Sequence, residues 1–283
     1  MGKTFGFVVL NYSNYEESIA CVESILAISG KNYFIVIVDN DSPNDSFKVL
    51  FDRYAQYPNV RVISSGRNGG YSYGNNCGIK LLESLNIFDV IIATSDTLVV
   101  SKDILQQLGQ LDSVYLGIVG PKVTNLENDD QNPMLKKAGL GYVLNIHFPS
   151  VASFLRKTVY KLIPFLKGII SKQKDSGRKG MQRGDVYMIH GCFLYLTSHY
   201  FKQCGYLDES LFMYGEEDLL AYNCMQNNLR VLYQPSIEVI HKDAKSTPRD
   251  DNNSFTVVNS NKSMTYLKRK LKLSTLLIQA LKN

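Results

Sequence analysis

Three carboxylates stand side by side at Glu216, Glu217 and Asp218, directly after the aromatic run Phe212-Met213-Tyr214-Gly215. Like charges this close raise at least one pKa, and a carboxylate tuned upward suits a general base that takes a hydroxyl proton during group transfer. Asp39 and Asn40 open a second polar group at the end of the apolar run Tyr33–Val38, and Ser95-Asp96 follow the run Asp89–Ala93. His241 comes directly after Ile237–Ile240, while His190 interrupts the nearly apolar stretch Val186–Leu196. Each position also has a structural alternative. Asp45 or Ser46 suits a helix cap, acids at 216–218 suit the first turn of a helix, and a lone histidine suits a satisfied core position.

The glycine-rich stretch Arg67-Asn68-Gly69-Gly70, continuing through Asn75, permits close backbone approach to a ligand. The helix N-terminus that follows favours anionic phosphate. Its spacing and its place near residue 70 are not those of a dinucleotide fingerprint.

The elements that must position these groups alternate. Apolar runs at Phe5–Leu10, Tyr33–Val38, Val60–Ile63, Asp89–Ala93 and Tyr115–Val119 read as strands, with helices after Ser13 or Asn14, over about Ser72 to Leu85, and over Ser101–Leu111. Strands apolar throughout and separated by helices predict a mostly parallel sheet covered on both faces, an α/β fold. Ligands bind beyond the carboxyl ends of such strands, and Asn11, Asp39, the loop from Gly66 to Gly70, and Asp96 all sit there. Core-like sequence resumes at Asp185–Thr197, then a short helix at His199–Cys204, a helix after Gly215, and strands at Arg230–Tyr233 and Ile237–His241. Residues 124–184 lack a clear strand and read as a flexible amphipathic insertion within a catalytic domain 1–243, followed by a C-terminal extension 244–283.

The chain has 283 residues, 45% hydrophobic and 20% charged, which excludes disordered, collagen-like and coiled-coil classes. No apolar run approaches the roughly 20 residues of a membrane-spanning helix, and the start reads as a core strand, not a signal peptide. Five scattered cysteines fit buried thiols in a reducing compartment. The formal charge of +5 is unevenly placed: residues 151–185 carry nine basic and two acidic residues, and residues 262–283 six basic and none acidic. Apolar spacing in both segments predicts basic amphipathic helices over 151–174, kinked by Pro164, and over 264–282, suited to an anionic membrane surface. The alternative is a core-facing helix with a solvated basic face. No nucleic-acid-binding module accompanies the charge.

The ordered set VVLNYSNYEESIACVESIL, IVIVDNDSPND, RNGGYSYGNNCGI, TSDT and FMYGEEDLLAYNCMQNNLRVLYQPSIEVIHK resembles the family 2 glycosyltransferases of the GT-A fold, and within them the bacterial rhamnosyltransferase-like branch. The resemblance covers about residues 4–123 and 185–243. It implies an inverting transfer of a hexose or deoxyhexose, L-rhamnose among them, from a dTDP- or UDP-sugar to a saccharide acceptor. The nucleotide sugar is expected on Asn11, Asp39, Asn40, Arg67, Asn68, Gly70, Asn75, Ser95 and Asp96. A Mg²⁺ or Mn²⁺ ion is expected on Asp96 and His241, with Thr94 where the family often has a further carboxylate. Asp218 is expected as the base, with Glu217 in reserve, and His190, Gly191 and Glu216 near the acceptor or donor sugar. With the basic helices, this implies a polyprenyl-linked acceptor at the cytoplasmic face of a bacterial membrane, in surface polysaccharide or capsule assembly. Two other classes compete. A sugar-nucleotide pyrophosphorylase would want a glycine-rich loop after the first strand, where this chain has Asn11-Tyr12-Ser13-Asn14. A non-catalytic scaffold derived from a transferase would explain the missing carboxylate at Thr94.

Overall fold

The structure is a computed structural model, and it describes residues 3–111, 114–162, 180–243 and 254–282. Its centre is a nine-stranded mixed sheet in the order β3-β2-β1-β4-β8-β6-β9-β5, with β7 also paired to β9. The strands are β1 (Phe5–Asn11), β2 (Tyr33–Asp39), β3 (Val60–Ser64), β4 (Asp89–Thr94), β5 (Thr97–Val99), β6 (Leu116–Thr124), β7 (Gly184–Val186), β8 (Phe193–Leu196) and β9 (Arg230–His241). Pairing of β3, β2, β1 and β4 is parallel, as the unbroken apolar runs predict, and β6 pairs with β9 in parallel. β8 runs antiparallel between β4 and β6.

This topology decides where chemistry can occur. Asn11 is in register with Asp39 at the carboxyl ends of β1 and β2, and Leu10 with Thr94 at that of β4. Because β8 is reversed, Phe193 pairs with Ala93, so the turn His190-Gly191-Cys192 enters the sheet at the same edge. β5 is reversed too and pairs Thr97 with His241, which brings the end of β9 beside Asp96.

Alternation along the strands sends side chains to two cores. Phe7, Val9, Ile35, Ile37 and Ile91 pack with helices α1 (Tyr15–Leu26), α2 (Ser46–Tyr54) and α4 (Ile104–Gly109). Val8, Val36, Val38 and Ile92 pack with α3 (Gly70–Ser84), α7 (Ser198–Cys204) and α8 (Glu216–Gln226) on the other face. The Asn14 side chain caps α1 through the Glu17 N–H, and the two expected strands at 230–241 are one bulged strand, β9.

The insertion departs from the expected flap. Its first half is built into the body: Leu135 bridges Met188, and buried Asn132 donates to the Pro121 carbonyl while accepting from the His190 N–H. Helix α5 (Leu140–His147) follows, then α6 (Pro149–Leu162). The basic run 163–179, with Pro164, lies outside the described residues, as do residues 244–253. The C-terminal helices α9 (Ser254–Lys270) and α10 (Leu273–Lys282) form a third core with α5 and α8: Leu267, Leu271 and Leu276 are buried against Val143, Ile146, Leu211, Leu219 and Tyr222. The apolar stripe expected to meet a membrane through Leu267 and Leu271 therefore faces protein. Ile278 and Leu281 of the same stripe stay exposed, Leu281 to 78%.

Candidate active site

At the nucleotide end, buried Asp39 accepts three hydrogen bonds. Asn11 Nδ2 and Ser42 Oγ reach Oδ2, each at 2.7 Å, and the Ser42 N–H reaches Oδ1 at 2.9 Å. The left-handed residue Asp41 makes the turn that brings Ser42 back. Asn40 is the hinge to the glycine-rich loop, donating to Asn68 Oδ1 and the Gly70 carbonyl and accepting from Ser65 Oγ. Arg67 is exposed, its guanidinium 4.4 Å from the Tyr73 ring centre. Gly70 has φ +82°, and a Cβ there would lie 1.9 Å from the Phe212 carbonyl oxygen. Its glycine requirement is thus set by the segment that precedes α8, whose Phe212 carbonyl accepts from the Tyr71 N–H. Asn75 is fully buried: its Nδ2 donates to the Tyr71 carbonyl of its own helix, and its Oδ1 has no hydrogen-bond partner.

At the next strand ends, Thr94 Oγ1 donates to Asp96 Oδ1 at 2.7 Å, and His241 Nε2 lies 3.4 Å from Asp96 Oδ2. Ser95 is buried beside them. His241 Nδ1 is 2.8 Å from Gln131 Oε1 and 3.1 Å from Asp243 Oδ1. Gln131 spends its amide N–H groups on Asp243, which leaves its oxygen to accept from Nδ1–H, while Nε2 faces Asp96 and donates to it when the ring is protonated. Burial acts to raise Asp96, but the hydrogen bond and charge of His241 bring it below the usual carboxylate range. Burial likewise acts to lower His241, and Asp96 reverses it.

These residues fit a hard divalent cation. One carboxylate oxygen and one imidazole nitrogen face each other at a separation that one ion can bridge, and the second nitrogen is held by outer groups, as metal-bound histidines require. A mixed oxygen and imidazole pair suits Mn²⁺ better than Mg²⁺. His190, Cys192 and His241 also bring ligand atoms within 4.8 Å of one another. That thiol is pushed well up by burial and by the charges of Asp96 and Glu217, so it stays protonated. His190 Nδ1 is taken by the Cys192 N–H at 3.1 Å.

The acidic triplet opens α8, whose N-cap Gly215 is left-handed and offers no side-chain cap. Its three carboxylates separate. Glu217 Oε1 accepts from the Gly191 N–H at 3.1 Å, and the Gly191 carbonyl accepts from Tyr71 Oη at 2.7 Å. Asp218 instead accepts from Tyr142 Oη of α5 at 2.6 Å. Glu216 is buried, and its Oε1 has no hydrogen-bond partner. Burial, with the charge of Glu217, pushes Glu216 up to about 8. Burial raises Glu217 against two backbone N–H groups. Burial takes Asp218 to about 6, opposed by Tyr142 and assisted by Glu217.

Sequence reasoning overlooked Tyr71, Gln131, Tyr142 and Asp243. The polar partners of Tyr71, Gln131 and Tyr142 lie far along the chain, and the local signals were Tyr71 standing next to the paired glycines and Asp243 standing two residues after His241. A cavity of about 370 Å³ opens elsewhere, among Lys136, Asp185, Tyr187, Met225 and Arg230, and none of the expected site residues lines it.

The profile of the family described as glycosyl transferase family 2 matches residues 7–195, well over half of the chain. The chain belongs to that family. Among curated relatives it is 28% identical over 235 residues to a low-salt glycan biosynthesis hexosyltransferase of Haloferax volcanii, covering 83% of this chain and 66% of that one. It is 24% identical over 230 residues to the N-acetylglucosaminyl-diphospho-decaprenol L-rhamnosyltransferase of Mycobacterium tuberculosis, covering 76% and 68%. Among solved structures it is similar to GalNAc-T7 with UDP, GalNAc and Mn²⁺, with TM-score 0.57, 14% identity, and coverage of 85% of this chain and 44% of that one. Residues 1–349 of S. aureus TarS in complex with UDP give TM-score 0.59 and 12% identity, covering 98% and 70%. These similarities establish the GT-A fold of this family 2 member. The chain spans about two thirds of the archaeal relative and less than half of GalNAc-T7.

Proposed function

We propose that this family 2 member is an inverting glycosyltransferase, moving a hexose or deoxyhexose from a nucleoside diphosphate to a saccharide hydroxyl. The observation that carries the reading is the convergence of Asp39, Asp96, His241 and Glu217 on one sheet edge. Cys192 lies close enough to both Asp96 and Glu217 for each carboxylate to raise its thiol. Asp39 and the Asn40–Asn68 hinge would hold the nucleoside, with Arg67 free to meet phosphate. A cation on Asp96 and His241 would neutralise charge on the leaving diphosphate. The base is reassigned from Asp218 to Glu217: Asp218 is engaged by the Tyr142 hydroxyl, whereas Glu217 sits at Gly191, between the histidine-bearing turn and the strand ends. Glu217 takes the acceptor hydroxyl proton as that oxygen attacks the anomeric carbon, without a covalent enzyme intermediate.

The mycobacterial relative's name specifies a lipid-linked acceptor and L-rhamnose, which favours a dTDP- or UDP-deoxyhexose donor and a polyprenyl-linked acceptor here. No described helix is long and apolar enough to cross a membrane. Membrane contact would fall to the surface of α6 and the residue before it, where Phe148, Val151, Phe154 and Leu155 are exposed at three- and four-residue spacing beside Lys157. Ile278 and Leu281 of α10 would add to it. Surface polysaccharide assembly at the cytoplasmic face, on an anionic bilayer, is the setting that this reading supports.

The test is turnover of a panel of dTDP- and UDP-sugars, followed by mass spectrometry, with and without Mn²⁺. Transfer from one donor, lost with chelator and in Asp96→Asn, is the expected result. Donor binding without transfer by any donor and acceptor pair would favour the scaffold reading.

A further inference from the structure

Helix α5 lies in the insertion, far in sequence from the acidic triplet, yet it supplies that triplet's side-chain donor. The Tyr142 hydroxyl donates to Asp218 Oδ1 at 2.6 Å, within the short range of hydrogen bonds to an ionised acceptor. Both groups are half-buried, so an Asp218 carboxylate deprived of this donor would be a partly desolvated charge beside another carboxylate. The Tyr142 ring packs edge-on against Tyr187 at 5.3 Å, and Val143 and Ile146 seat α5 in the core formed with α8, α9 and α10. The tyrosine is therefore fixed from behind. The other hydrogen bonds to the carboxylates of this turn come from backbone: Gly215 gives no side-chain cap, Glu216 Oε1 has no partner while backbone N–H groups of Glu216 and Tyr214 serve its carboxylate, and Glu217 is held by its own N–H and that of Gly191.

We propose that Tyr142 is a positioning residue of the transfer site: by holding Asp218 it fixes the first turn of α8 and with it the orientation of the Glu217 carboxylate. The insertion is then a working wall of the active site, and Asp218 is the handle by which it grips the base-bearing helix. This inference rests on Glu217 as the base. The groups facing Asp218 are Tyr142 and Tyr187 from outside its helix and Glu216 and Glu217 on it.

The experiment compares wild type, Tyr142→Phe, Asp218→Asn, the double variant and Glu217→Gln for kcat and for KM of the sugar nucleotide across pH 5–9. Circular dichroism and melting temperature check the fold of each. Tyr142→Phe should lower kcat about tenfold with donor KM held within about twofold, as expected for misorientation of a reacting group. Asp218→Asn should retain measurable turnover and shift the acid limb of kcat to lower pH, since a like charge beside the base is gone. Adding Tyr142→Phe to Asp218→Asn should cost little more, because the tyrosine acts through Asp218. A folded Tyr142→Phe with unchanged kcat and pH profile overturns the inference. So does additivity of the two substitutions, or a folded Asp218→Asn without turnover. Undiminished turnover in Glu217→Gln would instead overturn the assignment of the base, a separate failure.

Discussion

At the scale of single residues, the acidic triplet shows how one helical turn gives three carboxylates different surroundings. Glu216 is buried and its folded-state pKa is pushed from 4.5 to about 8, so the fold prefers it neutral. Its stabilising contribution is complete below pH 4.5 and lost as pH rises through about 8. Melting temperature should therefore fall between pH 5 and pH 8 in wild type, and Glu216→Gln should flatten that fall and raise the value at pH 8. An identical slope in the variant would refute the role given to this buried carboxyl. Asp39 offers a second test: Asp39→Ala should weaken nucleotide affinity by about tenfold or more, by titration calorimetry, because a hydrogen bond to a charged group contributes about 1.5–3 kcal/mol. The place of Asp39, Asp96 and His241 at or just past strand ends was legible from the sequence, because each stands at the close of an apolar run. Tyr71 and Tyr142 were not: their partners are 120 and 76 residues away, and apart from the paired glycines before Tyr71 nothing local marks either. The separation of Glu217 from Asp218 was equally hidden, since it comes from helix rotation, which turns Glu217 to Gly191 and Asp218 to Tyr142.

At the scale of elements, the parallel half of the sheet was readable because strands buried on both faces leave unbroken apolar runs. β5 and β7, three residues each, carry no periodicity, and their pairing with β9 is long-range. Helix α5 escaped notice for a related reason: its partners Leu211, Leu219, Leu267 and Leu276 come from distant segments. The spacing of 264–282 predicts one amphipathic helix where the structure has the end of α9 and all of α10, broken at 271–272, and spacing alone does not say whether protein or lipid covers the stripe. Leu271→Ala should thus cost about 2–5 kcal/mol of folding stability, as for other buried leucines, measured by denaturant unfolding. A cost below about 0.5 kcal/mol would mean that α9 is not packed as described. Gly70→Ala should also destabilise the fold, because its new methyl group would meet the Phe212 carbonyl in a left-handed backbone.

For the whole molecule, exposed apolar side chains occur on several elements, and α6 gathers three of them on consecutive turns, with Phe154 67% accessible and Leu155 its neighbour. Phe154→Ser with Leu155→Ser should reduce co-sedimentation with vesicles rich in phosphatidylglycerol severalfold while leaving turnover of a short soluble acceptor unchanged. Equal pelleting of variant and wild type would remove α6 from the membrane account. Charge placement was legible from composition, whereas the division between a core-facing C-terminal stripe and an outward-facing α6 emerges only once the third core has formed.

The measurement that bears most directly on the account is a paired one on Glu217→Gln: sugar-nucleotide binding by calorimetry with Mn²⁺, and transfer under the same conditions. The account predicts donor affinity within about threefold of wild type and transfer reduced by about 10²–10⁴, the usual contribution of a general base. Transfer at the wild-type rate by a variant that binds donor normally would contradict it.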